Sequence, residues 1–333
     1  MDYIIKAYGK KNYSNLMKKE IINKKGKKQN VWIAKYGHLK LHRYPPPEVK
    51  DVKVNLKGNL NDHSVLSWKH PDTGYDVHAY TQERMKQQSQ KKWARENSFK
   101  DDILNNVKTK TETLVKKNKS EAVKQASTVL SIIAQTGLRI GDRFYTKATG
   151  NRGVLTLKPE NVKIKDGKAF FNFTGKSYVE NSAEFDNPTV VKYLSELKQK
   201  NSDKEFLFDV GKADITKVWR DALGMGNKFL IKDMRTKVAS NLAREILLKQ
   251  KLDLKGLSSA KQKKKVKETL KDVYEKVSTK LNNTPGMAKN SYINPVIMHK
   301  WFDLNKVDDS VKSVFIKKAL NNTLLIFCYD ILQ

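Results

Sequence analysis

The hydrophobic period of this chain changes near residue 98, and that change constrains the fold more than any other feature. Before it, "NVWIAKYGHLKLHRYPPPEVKDVKVNL" alternates apolar and polar residues and is interrupted by Pro45, Pro46 and Pro47. "HSVLSWKHPDTGYDVHAY" adds two short apolar or aromatic runs joined by a Pro-Asp-Thr-Gly turn. A period of two punctuated by proline and glycine predicts short antiparallel strands with tight connections. The basic segment "RMKQQSQKKWARENS" closes this part, so residues 1–97 are expected to form a small β-rich domain.

From about Ser98 the spacing is helical. In "SEAVKQASTVLSIIAQTGLRIGD", Val123, Ala126, Leu130, Ile133 and Ala134 share one helix face, and Gly137 is placed to end that helix. A β interlude follows in "GVLTLKPENVKIKDGKAFFNFTGKS", where Asp166-Gly167 is a two-residue hairpin turn. The helical period resumes after Pro188 in "PTVVKYLSELKQK", "ADITKVWRDALG", "MRTKVASNLAREILLKQ" and "SAKQKKKVKETLKDVYEKVSTKL". The fold class is α+β: a small antiparallel β-rich N-terminal domain, then a larger, mainly helical domain over 98–333 with one small sheet. The tail after Trp301 reads as amphipathic helix.

Charge narrows the partner. Lys and Arg number 66 against 35 Asp and Glu, a formal net charge of +31. Such a surplus points to a polyanion, and nucleic-acid phosphate is the common one. The single cysteine, Cys328, excludes an internal disulfide and a cysteine-based zinc site. The N-terminal "MDYIIKAYGK" lacks the apolar core of a signal peptide, and no apolar run has membrane-span length, so an intracellular or particle-packaged protein is expected, with no membrane partner.

Two phosphate chemistries are set aside on residue grounds. "TGKS" at 174–177 ends like a nucleotide-binding P-loop, but Phe170 stands where that loop needs glycine. The acids are scattered, and the six histidines form no zinc spacing, so nothing points to a metal site. Metal-free phosphodiester cleavage would instead need a side-chain nucleophile, arginines on the non-bridging oxygens and an acid for the departing oxygen. Arginine is the rarer base here, and Arg139 in "TGLRIGD" and Arg235 in "IKDMRT" lie beside glycine or small residues.

Five blocks in order carry a resemblance: "QTGLRIGDRFYTKATGNRGVLTL", "FNFTGKSYVENSAEF", "KEFLFD", "FLIKDMRTKVASN" and "LNNTPGMAKNSYINP". Together they resemble the small type IB DNA topoisomerases of poxviruses, giant viruses and bacteria, over roughly residues 70 to 296. The resemblance implies a catalytic domain of the type IB topoisomerase and tyrosine recombinase kind. It implies Tyr292 as nucleophile, Arg139 and Arg235 as the clamp on the scissile phosphate, and Lys176 as the acid for the 5′-oxygen. Asn283 matches a position that is histidine in poxviruses and asparagine in many relatives; it can donate a hydrogen bond but adds no charge. Duplex DNA is the implied partner, clamped by a monomer, with neither ATP nor metal required.

The blocks also depart from the poxvirus pattern. His78 and Val77 stand where a tyrosine and a glutamine read the major groove, while Tyr80 keeps its aromatic ring. Asp142 replaces a basic, base-contacting residue, and Tyr145 is retained. Lys232 stands where recombinases carry histidine, and Lys289 is expected to face phosphate. Taken singly, each residue has a plainer reading: a solvated hairpin lysine at 176, a helix-dipole partner at Arg139, an ion pair from Arg235 to Asp233, and a cap or turn at Asn283. A tyrosine recombinase shares the chemistry, and a basic DNA-packaging protein would share the charge.

Overall fold

The computed structural model describes residues 16–22, 28–34 and 41–320, apart from 44, 47, 48, 50, 56 and 73; for 16–22, 28–34 and 316–320 it describes backbone alone. Pro47, Cys328 and the tail beyond residue 320 therefore lie outside the described residues. The chain divides into two compact units, Met1–Lys91 and Lys92–Gln333.

The first unit is built from antiparallel strands. β1 (Leu16–Ile22) pairs with β2 (Lys28–Ala34), and β3 (Val52–Val54), β4 (Leu66–Lys69) and β5 (Asp76–Ala79) form a three-stranded meander. The alternation read from the sequence sets its inner face: Val52 lies opposite Trp68 and Val54 opposite Leu66, all four buried, while Lys53 between them is exposed. Between β4 and β5 the chain reverses through Gly74, whose φ of 68° lets its amide reach the His70 carbonyl at 2.9 Å.

The expected 97/98 boundary differs from the observed division, and the reason lies in the basic segment. It is a helix, α1 (Gln82–Ser98), and the division at Lys91 falls inside it. Its last turns belong to the second unit: Trp93 and Glu96 are buried, and Arg95 pairs with Asp233 at 3.0 Å. Five Lys and Arg residues in "RMKQQSQKKWAR" hide the narrow apolar face that a helix needs to be legible.

The second unit is centred on α3 (Glu121–Thr136), which packs on α2 (Asp101–Lys117) and buries every residue from Gln125 to Ala134. Ser120 starts α3 by accepting from the Val123 amide, and Gly137 ends it in the left-handed region, as the sequence pattern implied. α4 (Arg143–Thr149) follows, then the sheet β6 (Val162–Lys165), β7 (Lys168–Gly175) and β8 (Val179–Phe185). Lys165 pairs with Lys168, which leaves Asp166-Gly167 as the two-residue turn expected, both at positive φ. α5 (Pro188–Lys200) and α6 (Lys212–Lys217) close one apolar cluster around α3. "ADITKVWRDALG" is helical as read, α-helix through α6 and then a π-helix over Val218–Ala222.

A second apolar cluster gathers the C-terminal helices. α8 (Ser259–Leu281) buries Val266, Leu270, Val273, Val277 and Leu281 along one face and presents its lysines on the other. Each such side chain contributes about 1.5–3 kcal/mol on burial, which fixes the helix despite its charge. α9 (Pro285–Ser291), α10 (Pro295–Leu304) and α11 (Asp309–Leu320) pack on it, so the described part of the tail is helical as expected. α7 (Ile231–Leu248) joins the clusters: Met234 belongs to the first and Ala239 to the second. Arg235 sits at that passage. The mixed α+β class with a mainly helical second unit is as read from the sequence. No described helix is long and apolar enough to cross a membrane.

Candidate active site

Arg139 is held by its backbone. After α3 ends at Gly137, the chain runs past Gly153, where the Val154 amide donates to the Arg139 carbonyl at 2.9 Å and Leu155 to Ile140 at 2.7 Å. The approach demands glycine at 153: a Cβ there would lie 2.4 Å from the Gly141 nitrogen and 2.6 Å from the Arg139 oxygen. Two backbone segments touching at this distance leave the Arg139 position little freedom.

Arg235, on the second turn of α7, is only 4% exposed. Its Nη1 donates to the Gly137 carbonyl and its Nη2 to the Leu281 carbonyl at 2.6 Å. It thus ties the end of α3, beside Arg139, to the end of α8. Its Nε is buried with no hydrogen-bond partner among the described residues. Burial, and then the neighbouring Arg139, lower its pKa to about 10, so it stays charged at neutral pH. The expected alternative, pairing with Asp233, does not occur; Asp233 accepts from Arg95 and from the Leu230 amide at 2.8 Å.

Lys176 opens the three-residue turn between β7 and β8, since Gly175 pairs with Val179. The turn is tight, with Ser177 at φ 64° and Tyr178 at φ 58°, and Lys176 stands exposed on it. Asn282, after α8, brackets Ser182 of β8 with two hydrogen bonds, from the Ser182 amide at 3.2 Å and to its carbonyl at 3.0 Å. The hairpin carrying Lys176 is thereby tied to the segment that leads into α9.

Tyr292 ends α9. Thr284 caps that helix by accepting from the Met287 amide, and Pro285 takes the first helical position. The Tyr292 amide donates to Ala288 at 3.1 Å, and its carbonyl accepts from Ser240 at 3.2 Å. The Arg235 guanidinium lies 4.8 Å from the ring centroid. Burial alone would raise the Tyr292 pKa, but the charges of Arg235 and Arg139 outweigh it and hold the hydroxyl below its ordinary value. An easier phenolate beside two guanidiniums is what a nucleophile at a phosphate requires.

These residues share one cavity of about 540 Å³, walled by Arg139, Lys176, Arg235 and Tyr292. Lys92, Arg152 and Lys232 add further cations, against two carboxylates, Asp142 and Asp233. Both carboxylates are already engaged, Asp233 as above and Asp142 with Lys212. The surplus positive charge therefore faces an incoming anion.

Asp142 and Tyr145 also line the cavity, but Asp142 caps α4 by accepting from the Tyr145 amide at 3.0 Å. Its hydrogen bond from Lys212, then that from Tyr145, lower its pKa. Asn283 and Lys289 are not among the wall residues. The Asn283 amide is buried with neither Nδ2 nor Oδ1 partnered, while Lys289 lies 5.5 Å from the Tyr274 ring centroid. His78 and Tyr80 lie on the first unit, in a group with His42 and Arg84: rings of His78 and Tyr80 are 6.4 Å apart, and Arg84 sits 4.8 Å over Tyr80. Sequence reasoning missed Lys92, one lysine among many, which only tertiary packing distinguishes.

The profile of the eukaryotic DNA topoisomerase I catalytic core matches residues 81–314, well over half the chain. A protein of Acanthamoeba polyphaga mimivirus described as DNA topoisomerase 1B is 24% identical over 179 residues, covering 50% of this chain and 52% of that protein. The chain thus spans about half the length of the curated relative it matches.

Proposed function

Because the chain belongs to the family of the eukaryotic DNA topoisomerase I catalytic core, we propose that it relaxes supercoiled duplex DNA as a type IB topoisomerase, through a transient 3′-phosphotyrosyl bond. The observation that carries this reading is one cavity in which a tyrosine of lowered pKa meets the guanidiniums of Arg139 and Arg235 and an exposed lysine.

In this reading the Tyr292 oxygen attacks the scissile phosphorus, and its proton passes to solvent water as the P–O bond forms. Arg139 and the unpartnered Nε of Arg235 hold the non-bridging oxygens, on which charge grows in the transition state. Asn283, outside the cavity wall but with its amide unpartnered among the described residues, is free to turn toward the phosphate and add a neutral donor. The bond to the 5′-oxygen breaks, and Lys176 gives that oxygen a proton. The reverse reaction returns the proton to Lys176 and reseals the strand. Bond energy is kept in the phosphotyrosyl ester, so torsional strain in the DNA supplies direction and neither ATP nor metal enters a step. The protein acts as a monomer on duplex DNA, with the His78 and Tyr80 group of the first unit as a base- and backbone-contacting surface. A packaging protein would share the +31 charge but would have no use for a tyrosine set against two guanidiniums.

Plasmid relaxation in EDTA without ATP tests this. The full chain is expected to relax supercoils and to leave a covalent adduct when stopped with detergent, and Tyr292→Phe to do neither. Relaxation that survives Tyr292→Phe would sink the reading.

A further inference from the structure

Lys92, like Arg152 and Lys232, is a cation of this cavity that the preceding chemistry leaves without a task, and it is the one bonded to the backbone beside Tyr292. It lies on the part of α1 that belongs to the second unit, and its Nζ donates to the carbonyl of Ser291, the residue before the nucleophile. The same Nζ is 5.5 Å from the Tyr292 ring centroid and 4.4 Å from that of Trp93. Among the described residues no carboxylate lies within ion-pair distance of it. Asp233 on α7 is taken by Arg95, and Glu96 on its own helix by Asn294. Lys232 on α7 repels it. A half-buried ammonium so placed has Tyr292 as its strongest favourable electrostatic partner.

We infer that Lys92 is a positioning residue for the nucleophile: its ammonium fixes the Ser291 carbonyl, and with it the end of α9, and its charge favours the Tyr292 phenolate. This rests on the topoisomerase reading of the same cavity. Burial, together with Lys232, holds the Lys92 pKa down to about 8, opposed by Tyr292, Asp233 and Glu96. The sign follows: the charged form, which does the positioning, is complete below pH 8 and is lost as pH rises through that value. A phosphate in the cavity favours the charged form, so the loss moves to higher pH with DNA bound.

The test compares single-turnover cleavage by the full chain, Lys92→Met and Lys92→Arg from pH 6.5 to 10. Lys92→Met is expected to cleave about tenfold more slowly near pH 7, the worth of one hydrogen bond to a charged group. Its deficit should close as pH climbs beyond 8, while Lys92→Arg, whose charge does not titrate, should cleave near the wild-type rate at pH 7 and outpace wild type once Lys92 has lost its proton. A deficit constant with pH would reduce Lys92 to packing. A deficit that grows above pH 8, with Lys92→Arg as slow as Lys92→Met, would make it a proton acceptor instead; either overturns the inference. A second readout needs no DNA: with tyrosine labelled at Cζ and the Tyr292 signal assigned from Tyr292→Phe, its titration should move to higher pH in Lys92→Met. An unmoved titration refutes the role of Lys92. Absence of any adduct from the wild-type chain would refute the topoisomerase reading and leave the titration result standing.

Discussion

Gly153→Ala adds one methyl group outside the reacting atoms, and the structure fixes where it must go. Gly153 is extended, at φ −147° and ψ −177°, which alanine adopts without strain. The added Cβ would nevertheless lie 2.4 Å from the Gly141 nitrogen and 2.6 Å from the Arg139 oxygen. Both neighbours are backbone, so no rotamer relieves the overlap. Reaching ordinary contact requires the Arg139–Gly141 segment to retreat by about 1 Å, and displacements of that size cost on the order of 100-fold in rate. Overpacking of this kind also costs about 1–3 kcal/mol of stability, so the variant should fold with a lowered Tm. The assay is the rate of covalent adduct formation on a DNA duplex with protein in excess. Gly211→Ala serves as control, since its Cβ would meet nothing closer than 3.7 Å. A wild-type cleavage rate in folded Gly153→Ala would refute the claim that this glycine contact positions Arg139.

Three other outcomes follow from the same geometry. Lys176→Ala should lose roughly 10²–10⁴ in cleavage rate with Tm unchanged, and a substrate whose leaving oxygen is replaced by sulfur, which needs no proton, should restore it; failure of that rescue would remove Lys176 from the acid role. Asn283→Ala removes no hydrogen bond to the described residues, so thermal melting should hold while cleavage falls about tenfold; a large drop in Tm would mean the amide is structural. Asp101 is held down to about 2, where burial acting upward is outweighed by hydrogen bonds from Arg244, Asn241 and Lys237. Its stabilisation is therefore complete above the ordinary carboxylate range and is lost as pH falls toward 2. Denaturant melts of wild type and Asp101→Asn should differ at pH 6 and converge in acid; a gap that persists at pH 2 contradicts the assignment.

Several of these features were legible in the sequence and several were not. The strands of the three-stranded meander, the Asp166-Gly167 turn and the end of α3 at Gly137 follow local rules, because alternation, positive φ and capping act within a few residues. α1 was not legible, because its buried face is little more than Trp93 and Glu96 in a run of lysine and arginine. Arg139, Lys176, Arg235 and Tyr292 were found through ordered blocks, not through any property of the single residues. What brings them to one cavity is tertiary: the Arg235 clasp on the Gly137 and Leu281 carbonyls, the Asn282 bonds to β8, and the glycine contact at 153. Composition hides Lys92 for the same reason. It differs from its neighbours only in what it packs against.

The central claim is that Tyr292 is the residue that becomes bonded to DNA, and one measurement addresses it directly. The protein is incubated with a DNA duplex in EDTA, stopped with detergent, digested with protease and nuclease, and the modified peptide is sequenced by mass spectrometry. The account expects one nucleotide-bearing peptide, containing "NSYINP", with the added mass on Tyr292 and the phosphate attached through the 3′ end. An adduct on any other residue, or one joined through the 5′ end, would contradict it.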